Sequence, residues 1–421
     1  MKILYLTAYS YPEQAASPYL GQNRNEAFVE QGWNMVSYAP TPCRGIDVET
    51  RKKYKRIKRE ERLNGHLVVH RFSMFAEGEN PVFRALRYAL CTVKHFNRGV
   101  FAKDAHSCNV MFIASTPPIQ GAMAALVKKC RRDHIPFVYN LQDIFPDSLV
   151  GTGLAKKDGL LWKIGRVIEN FTYRNADKII VISQDFKRNI MAKGVPEEKI
   201  EVIYNWVDEN AITPVKDEEN ELFEEFGIGR EKFRVVYAGN LGNAQNIEII
   251  VEAAKRLKDK GNIEFVIFGT GGLEDEIKAT KEKEQLDNLK ILPLQPYERV
   301  AKVYGLGHVC IVACKPGLGG AAMPSKTWSI MSSGRAVLAN FDEGELKEIL
   351  ENNHCGVFTK AGDLEGFVAA IEELSQHPER CVEMGRNGRQ FILDNLTREV
   401  GTRRYVEVIR QVAGNGLEFR V

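Results

Sequence analysis

Apolar positions in the chain fall into short continuous runs. "KILYLT", "MVSYA", "LVVHRF", "VMFIAS", "FVYNLQ" and "KIIVIS" follow one another through the first half. They are too short to be helices and lack polar–apolar alternation, so they predict strands buried on both faces. Helical stretches lie between several of them. "SPYLGQNRNEAFVEQG" is one, with Ser17 as N-cap and Pro18 at the first helical position. A second series repeats the pattern: "FRVVYAG", "IEFVIFG", "LKILPL", "HVCIVAC", "AVLAN" and "CGVFTK", separated by helices. Between the two series, "NWVDENAITPVKDEENE" is polar, acidic and contains Pro214, which predicts a linker at about residues 205–220. Three helices close the chain, the last near 397–413. Strands alternating with helices in two series predict an α/β protein of two doubly wound, Rossmann-like domains, 1–207 and 208–396. Tandem domains of this kind are expected to face a central cleft at the carboxyl ends of their strands, where such sheets bind ligands.

The 421 residues suit two cores better than one. Hydrophobic and charged contents of 44% and 27% are those of an ordinary globular protein. No apolar run approaches the roughly 18 residues of a membrane span. "MKILYLTAYSYPE" reads as a first strand and lacks the apolar core and cleavage site of a signal peptide, so a cytoplasmic location is expected. Eight scattered cysteines contain no C-x-x-C, and eight histidines show no ligand spacing, so no metal is expected. The closest pair, Cys310 and Cys314 in "CIVAC", reads as two reduced core thiols. Charge is uneven. Residues 1–200 hold 31 basic against 19 acidic residues, and residues 201–421 hold 27 against 36. A basic first half suits a phosphate-rich lipid surface; no zinc finger, RNP-like or helix-turn-helix pattern favours nucleic acid.

Three glycine-containing loops follow strands of the second series. "YAGNLGNAQN" carries Gly239, Asn240, Gly242 and Gln245; its backbone N–H groups would suit a phosphate, or the loop is a plain turn. "VIFGTGG", with Gly269, leaves the same two readings open. "GGAAMPSKTWSIMSSG" places Lys326 in the first turn of a helix, where the helix dipole disfavours a cation unless an anion docks beside it; the loop binds a phosphate, or the lysine is merely solvated. In the first half, Asp143 of "YNLQDIFPDSL" lies just past a strand end. It would either cap the next turn or act toward a substrate hydroxyl. "RKKYKRIKREER" reads as a solvated loop. In "PVFRALRYALCTVKHFNRGVFAK", Arg84, Arg87, Lys94 and Arg98 share one helical stripe and Phe83, Leu86, Leu90, Val93 and Val100 another. The segment is either a core helix with a basic edge or a surface for anionic lipid.

These segments resemble the retaining GT-B glycosyltransferases of family 4, and most closely the bacterial N-acetyl-fucosamine transferase and polysaccharide-biosynthesis subgroup. "NADKIIVISQDFKRNIMAKGVPEEKIEVIYNWVD" is similar to the end of that family's first domain. "VYAGNLGNAQN", "FVIFGTGG", "MPSKTWSIMSSGRAVLA" and "CGVFTKAGDLEGFVAAI" are similar to successive segments of its donor domain. "STPPIQGAMAALVKKCRRDHIPFVYNLQDIFPDS" resembles the subgroup's segment ending in Asp-Leu-Trp-Pro-Glu. The likeness runs nearly the full length, in order.

The resemblance implies a nucleotide-sugar donor on the second domain, an acceptor on the first, no metal or other cofactor, and a C-terminal helix over 397–421 packing back toward the first domain. Lys326 would bind the donor diphosphate. Backbone amides around Gly239, Gly242 and Met323, Pro324 and Ser325 would assist, with Asn240, Gln245, Gly269 and Ser329 also in the donor site. Ser17 would stand beside the phosphates on the opposite wall. Asp143 would contact the reacting sugar or acceptor, and Arg84, Arg87, Lys94 and Arg98 would dock the acceptor. The implied reaction moves an N-acetylhexosamine-type sugar from UDP to a lipid-diphosphate-linked saccharide, the enzyme resting peripherally on the inner face of the membrane. The sequence also departs from the family. Asn240 and Gln245 stand where many members carry Arg and Lys, Ala321 and Ser329 where many carry two glutamates, and Gln142 where the family has a histidine. Those losses motivate one alternative, an inactive relative acting as a binding subunit; a GT-B nucleotide-sugar epimerase is a further option among enzymes.

Overall fold

Strand β1 (Lys2–Leu6) sits inside an eight-stranded sheet with β2 (Asn34–Pro40), β3 (Arg59–Arg62), β4 (Leu67–Phe72), β5 (Val110–Ala114), β6 (Phe137–Leu141), β7 (Lys178–Val181) and β8 (Ile200–Val202). The order is β3-β4-β2-β1-β5-β6-β7-β8, parallel except for β3. The computed structural model describes residues 1–13, 18–77, 81–151, 155–319 and 323–418. The chain divides into two compact units, Met1–Tyr204 with Gly401–Val421 and Asn205–Val400.

In the first unit, the continuous apolar runs are strands covered on both faces. Alternate residues point to opposite sides. Leu4, Leu6, Met111 and Ile113 face one core with Met123, Val127 and Phe137. Tyr5 and Phe112 share the other side, edge to face at 5.7 Å between ring centroids. Tyr405, from the helix Arg398–Glu418, reaches this side and donates to Asn140 Oδ1 at 3.0 Å.

The basic run after residue 50 is not a loop. Asp47 caps a helix, Val48–Arg56, by accepting from Thr50 N, and Lys53, Lys55 and Arg56 end it where the dipole favours cations. Arg59–Arg62 then forms β3, the antiparallel edge of the sheet. Its charges suit an edge that must not recruit another strand.

The second unit holds β9 (Phe233–Asn240), β10 (Ile263–Thr270), β11 (Leu289–Leu292), β12 (Val309–Ala313), β13 (Ala336–Phe341) and β14 (Gly356–Lys360). Their order is β11-β10-β9-β12-β13-β14, all parallel. Strand order reverses between β9 and β12, so the loops that follow them diverge and leave a crevice at the carboxyl ends. The expected linker is pinned rather than free. Arg389 donates to the carbonyls of Glu209 and Ile212, Ser332 Oγ donates to Ile212 O at 2.6 Å, and Asp217 pairs with Arg234 at 2.7 Å. Cys310 and Cys314 are buried, and burial pushes both thiols up to about 12, as core thiols require.

Candidate active site

The crevice of the second unit is built from the ends of β9 and β10 and the helix that follows β12. β9 ends on Tyr237-Ala238-Gly239-Asn240. Gly239 takes φ 146°, a conformation open to glycine. A side chain there would also meet Lys326, since a Cβ would lie 2.8 Å from its Nζ. The Tyr237 hydroxyl donates to Asn240 O at 2.8 Å and so holds the turn from below. Its ring faces Lys326, whose Nζ stands 4.0 Å from the ring centroid.

Lys326 opens the helix Lys326–Ser332. Its stem is partly exposed, but Nζ is buried and has no hydrogen-bond partner among the described residues. Burial pulls its pKa from 10.5 to about 8. No carboxylate among the described residues comes within ion-pair distance. A buried ammonium with only a π-face beside it is an incomplete site: it has donors to spend and charge to neutralise. An oxyanion supplies both.

The neighbouring polar groups are also unspent. Gln245 Oε1 is buried without a partner, as is Thr327 Oγ1 next to Lys326. Gly242 is hemmed by Asn240 Nδ2 and Gln245 Oε1, which a Cβ would meet at 2.8 and 2.9 Å. Gly269 pairs with Gly239 across the strands, and its missing side chain lets the β9 carbonyl approach. Behind the turn, the helix Ile247–Arg256 starts at Asn246 with no side chain capping it. Gly239, Asn240, Gly242, Gln245, Gly269 and Lys326 are thus brought together. Met323 and Pro324 are partly exposed and Ser325 exposed, all at the same helix start, and Ser329 is partly exposed one turn into that helix. Ala321 and Ser17 lie outside the described residues.

Sequence reasoning missed two contributors. Tyr237 carries the lysine; its only signal is an aromatic residue two places before a strand-end glycine. Asp342 fixes the loop before the site by accepting from Gly317 N at 3.0 Å and Gly319 N at 2.8 Å.

In the first unit, Asp143 follows β6 and is exposed, yet dense packing around its base raises its carboxyl, against a hydrogen bond from Ser148. Asp147 differs: burial works to raise it, but Lys193 at 2.7 Å and Asn189 prevail and lower it. The four cations of the helix Pro81–Phe101 do not form one exposed stripe. Arg87 is only 2% exposed, its guanidinium donating to Phe75 O and Thr41 O. Arg84 pairs with Glu77 at 3.2 Å and Lys94 donates to Ser73 O at 2.8 Å, while Arg98 stays exposed. Most of the apolar stripe is what faces outward: Phe83 (57% exposed), Leu86, Leu90 and Val93, while Val100 is buried in the core.

Comparison with known proteins places each unit. The pattern of Glycosyltransferase Family 4 matches residues 27–211, and that of Glycosyl transferases group 1 matches residues 218–391. A protein of Escherichia coli (strain K12) named "Putative colanic acid biosynthesis glycosyl transferase WcaI" is 28% identical over 272 residues, covering 61% of this chain and 67% of that protein. HepE of Anabaena, solved in complex with UDP, superposes with a TM-score of 0.71 at 16% identity, over 98% of this chain and 100% of that one. WaaG, a glycosyltransferase involved in lipopolysaccharide biosynthesis, gives a TM-score of 0.65 at 11% identity over 97% and 99%. With a family 4 segment in its first unit, a group 1 segment in its second and the two-sheet architecture of these structures, the chain is a glycosyltransferase of the GT-B fold.

Proposed function

We propose that the second unit binds a UDP-sugar with its diphosphate against Lys326, and that the sugar, of N-acetylhexosamine type, passes with retention to a hydroxyl of a lipid-diphosphate-linked saccharide held by the first unit. The observation that carries this reading is the buried, unpaired Nζ of Lys326 at the strand-order reversal. In the reaction the bond from C1 to the diphosphate oxygen breaks and a bond from C1 to the acceptor oxygen forms on the same face. The acceptor proton leaves on the departing diphosphate. Negative charge grows on that diphosphate in the transition state, where a fixed, dry cation stabilises it most. Lys326 therefore supplies the charge that Asn240 and Gln245 do not. Backbone N–H groups at Gly239, Gly242 and the 326–332 helix start orient the phosphates, and Asp143 lies toward the acceptor hydroxyl.

The acceptor's lipid gives the first unit a membrane partner, and its surface supports that. Exposed apolar side chains gather on three neighbouring helices: Phe83, Leu86, Leu90 and Val93 on Pro81–Phe101, Leu126 on Gln120–Cys130, and Leu161, Ile164 and Val167 on Leu160–Asn175. Lys94, Arg98, Lys129 and Lys163 are exposed on the same helices. Apolar ridges edged by cations suit an anionic bilayer surface. Among the described residues no helix is long and apolar enough to cross it.

The test is UDP binding and donor turnover. Lys326→Ala should weaken UDP binding and lower turnover by about 10²- to 10³-fold, the scale of one lost transition-state donor. Unchanged UDP binding in Lys326→Ala, or no turnover of any UDP-sugar with or without lipid acceptor, would sink the reading. Donor interconversion without acceptor would instead mark an epimerase.

A further inference from the structure

The face of the first sheet that carries Tyr5 and Phe112 is covered by an unusual helix. A helix over a sheet ordinarily turns an apolar stripe inward. Along Pro18–Glu30, among the described side chains, only Ala27 and Phe28 are buried, and Gly21, Arg24 and Asn25 line a space beneath. That space is a cavity of about 360 Å³, at the small end of ligand sites, which run from about 300 to 1,000 Å³. Thr7 and Ala114, at the ends of β1 and β5, also line it. Strand order reverses between β1 and β5, so the cavity adjoins the first unit's own switch point.

Arg24 dominates the cavity. Its guanidinium lies 4.3 Å from the Phe112 ring centroid, 5.9 Å from that of Tyr5 and 5.6 Å from that of Tyr405. Both phenols pass their own protons on, Tyr5 to Asn25 Oδ1 at 2.7 Å and Tyr405 to Asn140 Oδ1 at 3.0 Å. Burial raises both, Tyr405 to about 12, so they stay neutral. Arg24 therefore has only neutral partners among the described residues, and its Nε is buried with no acceptor at all. Arg62, over the Tyr11 ring at 4.2 Å, adds a second cation to the lining. Glu13, the one carboxylate among the described lining residues, already spends both oxygens on the backbone N–H groups of Ser10, Cys43 and Arg44. Two cations, aromatic rings for sugar faces and an orphaned donor describe a polar ligand with an oxyanion.

We propose that this cavity is an acceptor subsite for a sugar bearing a carboxylate or phosphate, with Arg24 as its counter-ion. The proposal rests on the first unit being the acceptor side. Titration calorimetry on the full chain with D-glucuronate, glucose 6-phosphate and glucose tests it. At least one anionic sugar should bind about tenfold or more tighter than glucose, as a charge-assisted hydrogen bond implies, and whichever binds better names the anion. Arg24→Gln should erase that preference and Arg24→Lys keep part of it, both with UDP binding unchanged. Equal binding of all three sugars by the unaltered protein, failure of both anionic sugars to bind, or an unchanged preference in Arg24→Gln would overturn it. The first comparison needs no variant. UDP binding reports the donor side separately.

Discussion

A lysine whose Nζ is buried without a hydrogen bond costs the fold free energy while it stays charged. For Lys326 the folded value, about 8, lies below the ordinary 10.5. The penalty is therefore full below about pH 8, shrinks between there and 10.5, and vanishes above. At 1.36 kcal/mol per unit it is roughly 3 kcal/mol, of which the Tyr237 ring returns about 1 to 2. Lys326→Met should accordingly melt higher than the parent protein at pH 7, with the gap closing toward pH 10.5, and it should lose UDP binding. A variant that melts lower at pH 7 would show that the charge is already compensated. The parent's UDP affinity should fall as pH rises above about 8, because the diphosphate requires the ammonium; calorimetry in buffers of different ionisation enthalpy reads the proton taken up. The role proposed for Lys326 comes from the sequence, where a cation in a helix's first turn asks for an anion. Its seat was not legible there. Tyr237 and Gly239 are remote from it along the chain and meet it only because β12 lies beside β9.

The helix Pro378–Asn395 braces the site from behind. At Gly385 a Cβ would lie 2.1 Å from Gly334 O, and Gly334, at φ 67°, is the turn that ends the 326–332 helix. Backbone against backbone leaves no flexible atom to yield. Gly385→Ala should destabilise by about 1 to 3 kcal/mol, the usual cost of overpacking, and lower the melting temperature by several degrees. Differential scanning calorimetry decides it; an unchanged melting temperature would mean that the helix stands off from Gly334. At this scale the buried strands were legible because parallel strands are apolar throughout. The helix at 48–56 and strand β3 were hidden for the opposite reason. Their side chains are nearly all charged, so the helix shows only in its Asp47 cap and the strand only in its pairing with β4.

Across the whole molecule the basic residues concentrate in the first half and the acidic ones in the second. The sequence suggested that the basic helix at 83–98 uses its cations to dock. Folding draws Arg87 inward and ties Arg84 and Lys94 to neighbours, contacts that no helical wheel contains because their acceptors lie on other segments. The apolar side chains carry the surface instead, joined by Val167, 69% exposed on a helix whose part the sequence did not reveal. Leu90→Glu combined with Val167→Glu should cut cosedimentation with phosphatidylglycerol-rich vesicles about tenfold or more, given about 1.5 to 3 kcal/mol for each apolar side chain buried. UDP binding should not change. Vesicle binding that survives the double change but disappears in high salt would leave charge alone as the cause.

The first unit is discontinuous: its chain leaves at Tyr204 and returns at Gly401. Tyr405, which supports Asn140 and contacts Arg24, and Arg404, which pairs with Glu201 at 2.6 Å, are both on the returning helix. On the ribosome, the second unit is therefore complete before the helix that closes the first has been made. Domains fold as units in the order they emerge. Here the earlier-born half must wait, its Tyr5–Phe112 face lacking one helix, until its younger neighbour has finished. A released chain truncated before residue 401 should hold a protease-resistant second unit beside a first unit that is still readily cut.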